Sequence, residues 1–222
     1  MDIEGNLAAF TRDRQPDARY ASFDYCYNYF QSFREQGRAV DLAAPENMQV
    51  SCLQLGFYLA SWGMLRGSST LLRKSARHYE PVIKVIAAAP AEAWDLDADS
   101  YTADTWPLAR QLDEKIRAAF GHPNGVSATL ATKVMLGVFG NVPAFDTYFR
   151  AGFCAATFGP KAFGRLGRFY AEHTDTIERH RIPTLDFHTG ERTQRRYSRA
   201  KIIDMIFFIE GGGSGLAPLT GG

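Results

Sequence analysis

Large apolar side chains recur along most of this chain at helical spacing, and nowhere in sustained alternation. In residues 19–37, Phe23, Tyr27, Phe30 and Phe33 build one face of rings, and Gly37 is a stop signal. Residues 46–65 carry Val50, Leu53, Phe57, Leu59 and Leu65 on several sides, which marks a central helix ending in the turn Arg66-Gly67-Ser68-Ser69. The pattern resumes over 70–89, where Pro81 starts a new helix at PVIKVIAAA. Residues 90–107 are acidic and bounded by prolines, and read as a loop or short helix joining two halves. Leu108, Leu112, Ile116 and Phe120 then define a helix over 108–120. The turn Gly121-His122-Pro123-Asn124-Gly125 leads to a helix over 127–139, and Gly140-Asn141-Val142-Pro143 breaks it. Further helices are predicted over 144–157 and 160–179. An irregular stretch over 181–193 precedes a last helix over 198–210, apolar at Ile202, Ile203, Met205, Ile206 and Phe207 and ended by Gly211.

With no period-two strands and no internal repeat, these elements predict an all-α fold without a sheet of three or more strands. A length of 222 residues and 45% apolar content suffice for one core. The expected domain therefore covers 1–210, as two lobes of approximately 1–107 and 108–210, with the Gly-rich residues 211–222 as a flexible tail.

The apolar stretches 52–65 and 202–209 are too short or interrupted to span a bilayer, and MDIEGNLAAFTRDR lacks a signal-peptide pattern. A cytoplasmic protein with no membrane partner is expected. Cys26, Cys52 and Cys154 are far apart and set among apolar residues, which predicts reduced core thiols and neither disulfide nor zinc site.

A net charge of +1 conceals an asymmetry: residues 1–110 hold 11 Lys+Arg against 14 Asp+Glu, and residues 111–222 hold 14 against 10. The densest basic run, Arg192, Arg195, Arg196, Arg199 and Lys201 around Tyr197, is either a phosphate-contacting surface or a solvated helix start. Arg195, Arg196 and Arg199 are the candidate DNA contacts. Tyr58, Trp62 and Arg66 step by four along one helix and either line a base pocket or pack the core. His78, His122, His173, His180 and His188 form no metal or catalytic pattern.

The stretch most suggestive of chemistry runs from Gly125 to Asp146 and contains Thr132-Lys133-Val134 and Val142-Pro143-Ala144-Phe145-Asp146. It resembles the active-site segment of helix-hairpin-helix DNA glycosylases of the 8-oxoguanine and endonuclease III type. In that family a Gly-rich hairpin precedes a helix carrying a "TKVAD"-like lysine, and a "VPVD"-like loop supplies an Asp at the mouth of the base pocket. The chain also resembles a bacterial anti-phage glycosylase family acting on glucosylated hydroxymethylcytosine. The departures are an extra residue between Pro143 and Asp146, a shorter interval from Lys133 to Asp146, and no second hairpin glycine.

What the resemblance implies is a base-flipping enzyme on double-stranded DNA bearing a modified base, with no cofactor and no obligate protein partner. A carboxylate at Asp146 would stabilise the cationic sugar or orient water, or else serve only as a helix cap. Lys133 would be a Schiff-base nucleophile, giving a lyase, or a phosphate contact. Asn141 reads a base or sugar edge or simply forms the turn. Two other classes stay open: a non-catalytic nucleic-acid or nucleotide-binding module on the same scaffold, and a helical scaffold protein.

Overall fold

In the computed structural model, which describes residues 1–67, 69–121 and 127–213, helical spacing becomes helix almost throughout. The elements are α1 (Ile3–Thr11), α2 (Ala21–Glu35), α3 (Pro45–Ser61), α4 (Glu80–Ala87), α5 (Ala91–Asp95), α6 (Trp106–Ala119), α7 (Ala128–Val134), α8 (Thr147–Phe153), α9 (Pro160–Glu172), α10 (Thr174–Arg179) and α11 (Arg199–Glu210). Short 3-10 turns join several of them, and α7 continues as a π-helical turn over Met135–Phe139. A two-stranded antiparallel hairpin, β1 (Pro183–Leu185) and β2 (Arg192–Arg196), pairs Pro183 with Arg196 and Leu185 with Arg192 across a bulge. No described helix is long and apolar enough to cross a membrane. The turn over 122–125, Ser68 and the tail over 214–222 lie outside the described residues.

Helix α11 is enclosed all round, with every residue from Ala200 to Phe208 buried, and apart from the buried Lys201–Asp204 pair its buried face is apolar. Helix α1 packs on it from the N-terminal end of the chain and α8 from the other side. The α8 approach is backbone to backbone: a Cβ on Gly152 would lie 2.2 Å from the Phe207 carbonyl oxygen. One apolar cluster runs from Leu7 and Phe10 through Phe30 and Ile83 to Phe145 and Phe208, so residues of both sequence halves share a core.

Several features differ from the sequence expectations: α3, expected to be central, ends at Ser61 and exposes Val50, Leu53 and Phe57, and the single helix expected over 160–179 breaks into α9 and α10. Helix α1 has no counterpart among the predicted elements; Asp2 caps it by accepting the Gly5 N–H at 2.9 Å, and only Leu7 and Phe10 are buried from it. The hairpin falls in the stretch expected to be irregular, because β2 reads Arg-Thr-Gln-Arg-Arg and alternates half-buried with exposed without any apolar residue. Cys154 is a correction: unlike the buried Cys26 and Cys52 it is exposed, at the left-handed residue that ends α8.

Residues before α2 are tied to the hairpin by a buried ionic network. Arg14 donates to Asp24 at 2.6 Å, to the Tyr197 hydroxyl at 3.1 Å and to the Pro183 carbonyl at 2.7 Å, while Asp24 also accepts the Leu185 N–H at 3.1 Å. Burial pushes the Asp24 carboxyl above its ordinary range against the pull of Arg14. Removing one partner strands the other charge in the core, so Asp24→Ala is expected to cost about 3–5 kcal/mol in denaturant unfolding. An exposed replacement such as Asp95→Ala, which removes only a surface pair with Arg34, should cost less than about 1 kcal/mol.

Candidate active site

Ser127 opens α7 by accepting the Leu130 N–H at 3.3 Å, and the helix then buries Leu130 to Val134. Lys133 sits one residue before its end, with a side chain only 5% exposed. The buried loop Gly140–Phe145 turns the chain back past α7 and delivers Asp146 as the N-cap of α8. Side chains from α7 and α11 pin its C-terminal half. Asp204 accepts the Ala144 N–H at 3.0 Å, Thr132 accepts the Phe145 N–H at 2.9 Å, and Thr129 donates to the Phe145 carbonyl at 2.9 Å.

The result is a divided carboxylate. Asp146 Oδ1 accepts the Phe149 N–H at 3.0 Å, and Oδ2 accepts from Lys133 Nζ at 2.9 Å. The first bond fixes its orientation, and the second places an ammonium beside it. The pair borders a cleft of about 330 Å³ whose lining includes Arg19, Trp62, Met64, Arg66, Ser127, Thr129 and Tyr148. This size lies at the lower end of small-ligand cavities, about 300–1,000 Å³.

Trp62 forms an aromatic wall. Its ring lies 5.6 Å from Lys133 Nζ, 5.1 Å from the Arg19 guanidinium carbon and 5.0 Å from Lys201 Nζ. Its buried indole N–H has no partner among the described residues. Tyr20 packs beside it with ring centroids 5.4 Å apart. Behind the wall, buried Lys201 donates to Asp204 at 2.9 Å, so the carboxylate that holds Ala144 is itself held. Among the described residues no cluster of three His, Cys, Asp or Glu is arranged to hold a metal.

Of the sequence candidates, Lys133, Asp146, Trp62 and Arg66 come together at this cleft, and Tyr58 and Asn141 do not. Tyr58 is 2% exposed and packs on Gly137, where a Cβ would fall 2.2 Å from its ring. Burial holds its phenol well above the ordinary range, so it remains neutral. Asn141 is fully buried and donates to the Ala93 carbonyl at 2.8 Å, and Tyr101 donates to its carbonyl. It fixes the loop from the side away from the cleft lining.

The three arginines assigned to DNA are occupied with other partners. Arg195 pairs with Glu35 and donates to Asn28 at 2.8 Å, and Arg196 donates to the Arg181 carbonyl at 2.8 Å. Arg199 meets Glu178 at 2.6 Å and both Asp97 and Asp99 at 3.4 Å. Burial opposes its charge, but the Tyr170 hydroxyl and these carboxylates outweigh that and push its guanidinium further up. These side chains secure β2 and the start of α11.

Sequence reasoning missed Arg19, Thr129 and Tyr148. Tyr148 carried a usable signal, since it lies in the first turn of the helix that Asp146 caps. Arg19 carried none, because only the tertiary fold brings it to Trp62. Set against family models, curated proteins and solved structures, the chain matches none of them.

Proposed function

We propose that the chain is a DNA glycosylase that draws a modified base out of the duplex into the Trp62 cleft and breaks its N-glycosidic bond. The observation that carries this reading is the Lys133–Asp146 pair at 2.9 Å on the border of a polar cleft with an aromatic wall. Bond cleavage builds positive charge on the deoxyribose, and a fixed carboxylate stabilises it without reorganising. An aromatic face beside that carboxylate suits a flipped base, which has lost its stacking neighbours.

The same geometry bears on Lys133. At 5% exposure and with its ammonium on Asp146, it is too enclosed to serve as a backbone-phosphate contact on an outer surface. This favours Lys133 as the second reacting group of the proposed enzyme, with Asp146 beside it to take its proton. The substrate class suggested by the resemblance is phage DNA with glucosylated hydroxymethylcytosine, which would make the protein an antiviral defence enzyme.

The experiment is incubation with DNAs carrying different modified bases, including glucosylated phage DNA, followed by mild alkali to reveal abasic sites. Alkali-sensitive breaks in one of these and none in unmodified DNA support the reading. Tight binding to all of them without base release points instead to a non-catalytic nucleic-acid module, in which the closed Lys133–Asp146 pair is structural.

A further inference from the structure

The chain between Glu46 and Glu80 contains no Asp or Glu, yet it carries Arg66, Arg73, Lys74 and Arg77. In a protein with 24 carboxylates, so long an interval without one leaves its cations locally uncompensated. Of these cations Arg66 lines the cleft, and Arg73 and Lys74 are exposed on the turn that follows Ser69. Helix α3 ends at Ser61, Gly63 adopts φ +76°, and the chain passes Trp62, Met64 and Arg66 along the cleft. Ser69 then folds the following turn back onto this stretch, donating to the Met64 carbonyl at 2.6 Å, while its own N–H donates to the Arg66 carbonyl at 3.1 Å. A 3-10 turn over Thr70–Arg73 follows, anchored by the buried Leu71, with Leu72, Arg73 and Lys74 exposed.

Arg66, Arg73 and Lys74 have no carboxylate partner among the described residues, whereas Arg77 is paired with Glu80 at 3.1 Å. This contrasts with Arg195 and Arg199, each locked to acids. An exposed, unpaired cation is free to displace counterions from a polyanion. Arg19, which also lacks a carboxylate partner among the described residues, adds a further cation to the cleft, 5.1 Å from the Trp62 ring.

We infer that the exposed cations Arg66, Arg73 and Lys74 form the phosphate-tracking surface of the protein, which seats the backbone of duplex DNA so that one nucleotide faces the Trp62 cleft. This rests on the reading of the cleft as a base pocket. A nucleic-acid backbone is favoured over an acidic protein or an anionic membrane because Arg66, one of these cations, itself lines a polar cleft with an aromatic wall. Such a cleft complements a base attached to the bound backbone, whereas a headgroup surface offers nothing to fill it.

The test is fluorescence anisotropy with an unmodified duplex oligonucleotide across a salt series. It is made in the Asp146→Asn background, so that base release plays no part. The combined Arg66→Ala, Arg73→Ala and Lys74→Ala variant is expected to bind at least tenfold more weakly. The slope of log affinity against log salt should fall by about 2 to 3, near 0.9 for each phosphate that is no longer neutralised. The double variant Arg195→Ala, Arg196→Ala should leave that slope unchanged. Because the three residues are exposed, the triple variant is expected to keep the parent's thermal midpoint. Arg66→Lys with Arg73→Lys should keep the slope in any case, since charge is retained.

An unchanged slope in the triple variant, or a slope lost only in the Arg195/Arg196 variant, overturns the assignment. So does binding of the parent to anionic vesicles but not to duplex DNA. Base release by the parent with no effect of the triple variant on affinity would sink this surface and leave the glycosylase reading standing. Loss of DNA binding in the triple variant, with no substrate ever cleaved, would keep the surface and sink the glycosylase reading.

Discussion

On the proposed glycosylase reading, Asp146→Asn is expected to lower single-turnover base release by roughly two to three powers of ten, the usual cost of removing one preorganised electrostatic interaction from the transition state. The amide keeps an oxygen that can accept the Phe149 N–H, so α8 retains its cap. What disappears is the negative charge facing the developing sugar cation. On capping alone the substitution should be nearly silent in stability, at about 1 kcal/mol or less. The structure changes that expectation, because Oδ2 also accepts from Lys133, whose side chain is 5% exposed. Weakening a charge-assisted bond to an enclosed ammonium raises the expected cost to about 1.5–3 kcal/mol. Alkali-revealed release and a denaturant melt on the same sample check both numbers. Near-normal release from a substrate the parent cleaves would make Asp146 structural.

The helical class, the stop at Gly37, the cap at Asp146 and the last helix are all legible in the sequence, since each depends on residues within a few positions of one another. The base-pocket row is only partly legible for a specific geometric reason. Tyr58, Trp62 and Arg66 share a face only if the helix continues to residue 65. Gly63 in the left-handed region stops α3 at Ser61. Tyr58, still within the helix, therefore packs into the core, while Trp62 and Arg66 turn away with the chain and line the cleft.

The arginine assignment depends on something no local pattern holds. In sequence Arg195 looks free because its partner Glu35 lies 160 positions away, and Arg199 looks free because Asp97 lies 102 away. A basic run is a solvent-facing patch only when the fold brings no acid to it. The cations of 66–74 give a weaker signal because they are diluted among Gly, Ser, Thr and Leu. Lys133 and Asp146 can be nominated from their flanking residues. Their pairing cannot, because the buried loop that brings them together is held by Asp204, another 58 residues on from Asp146.

If the proposed glycosylase uses Lys133 as its nucleophile, the parent should form a covalent adduct with its substrate and Lys133→Gln should abolish it. In the proposed chemistry the Lys133 ammonium first passes a proton to Asp146 Oδ2, 2.9 Å away, and the amine so formed attacks C1′ of the deoxyribose while the bond from C1′ to the base nitrogen breaks. The base leaves with the bonding pair and takes that proton from Asp146, and Nζ gives up its next proton to O4′ as the sugar ring opens. Opening of the sugar ring then gives an iminium that borohydride reduces to a stable amine, so a cross-linked protein–DNA band reports the step directly. Glutamine is one bond shorter than lysine but keeps an N–H donor toward Asp146, and it has no nucleophilic nitrogen. Base release should fall by roughly two powers of ten or more, within the range for loss of a positioned acid–base or nucleophilic group. The expected signature is a trapped band with the parent and none with Lys133→Gln, both proteins folded and both binding DNA. If the parent releases base but traps no DNA, water is the nucleophile and Lys133 serves only as the charge partner of Asp146. In that event the strand should remain unnicked until alkali is added.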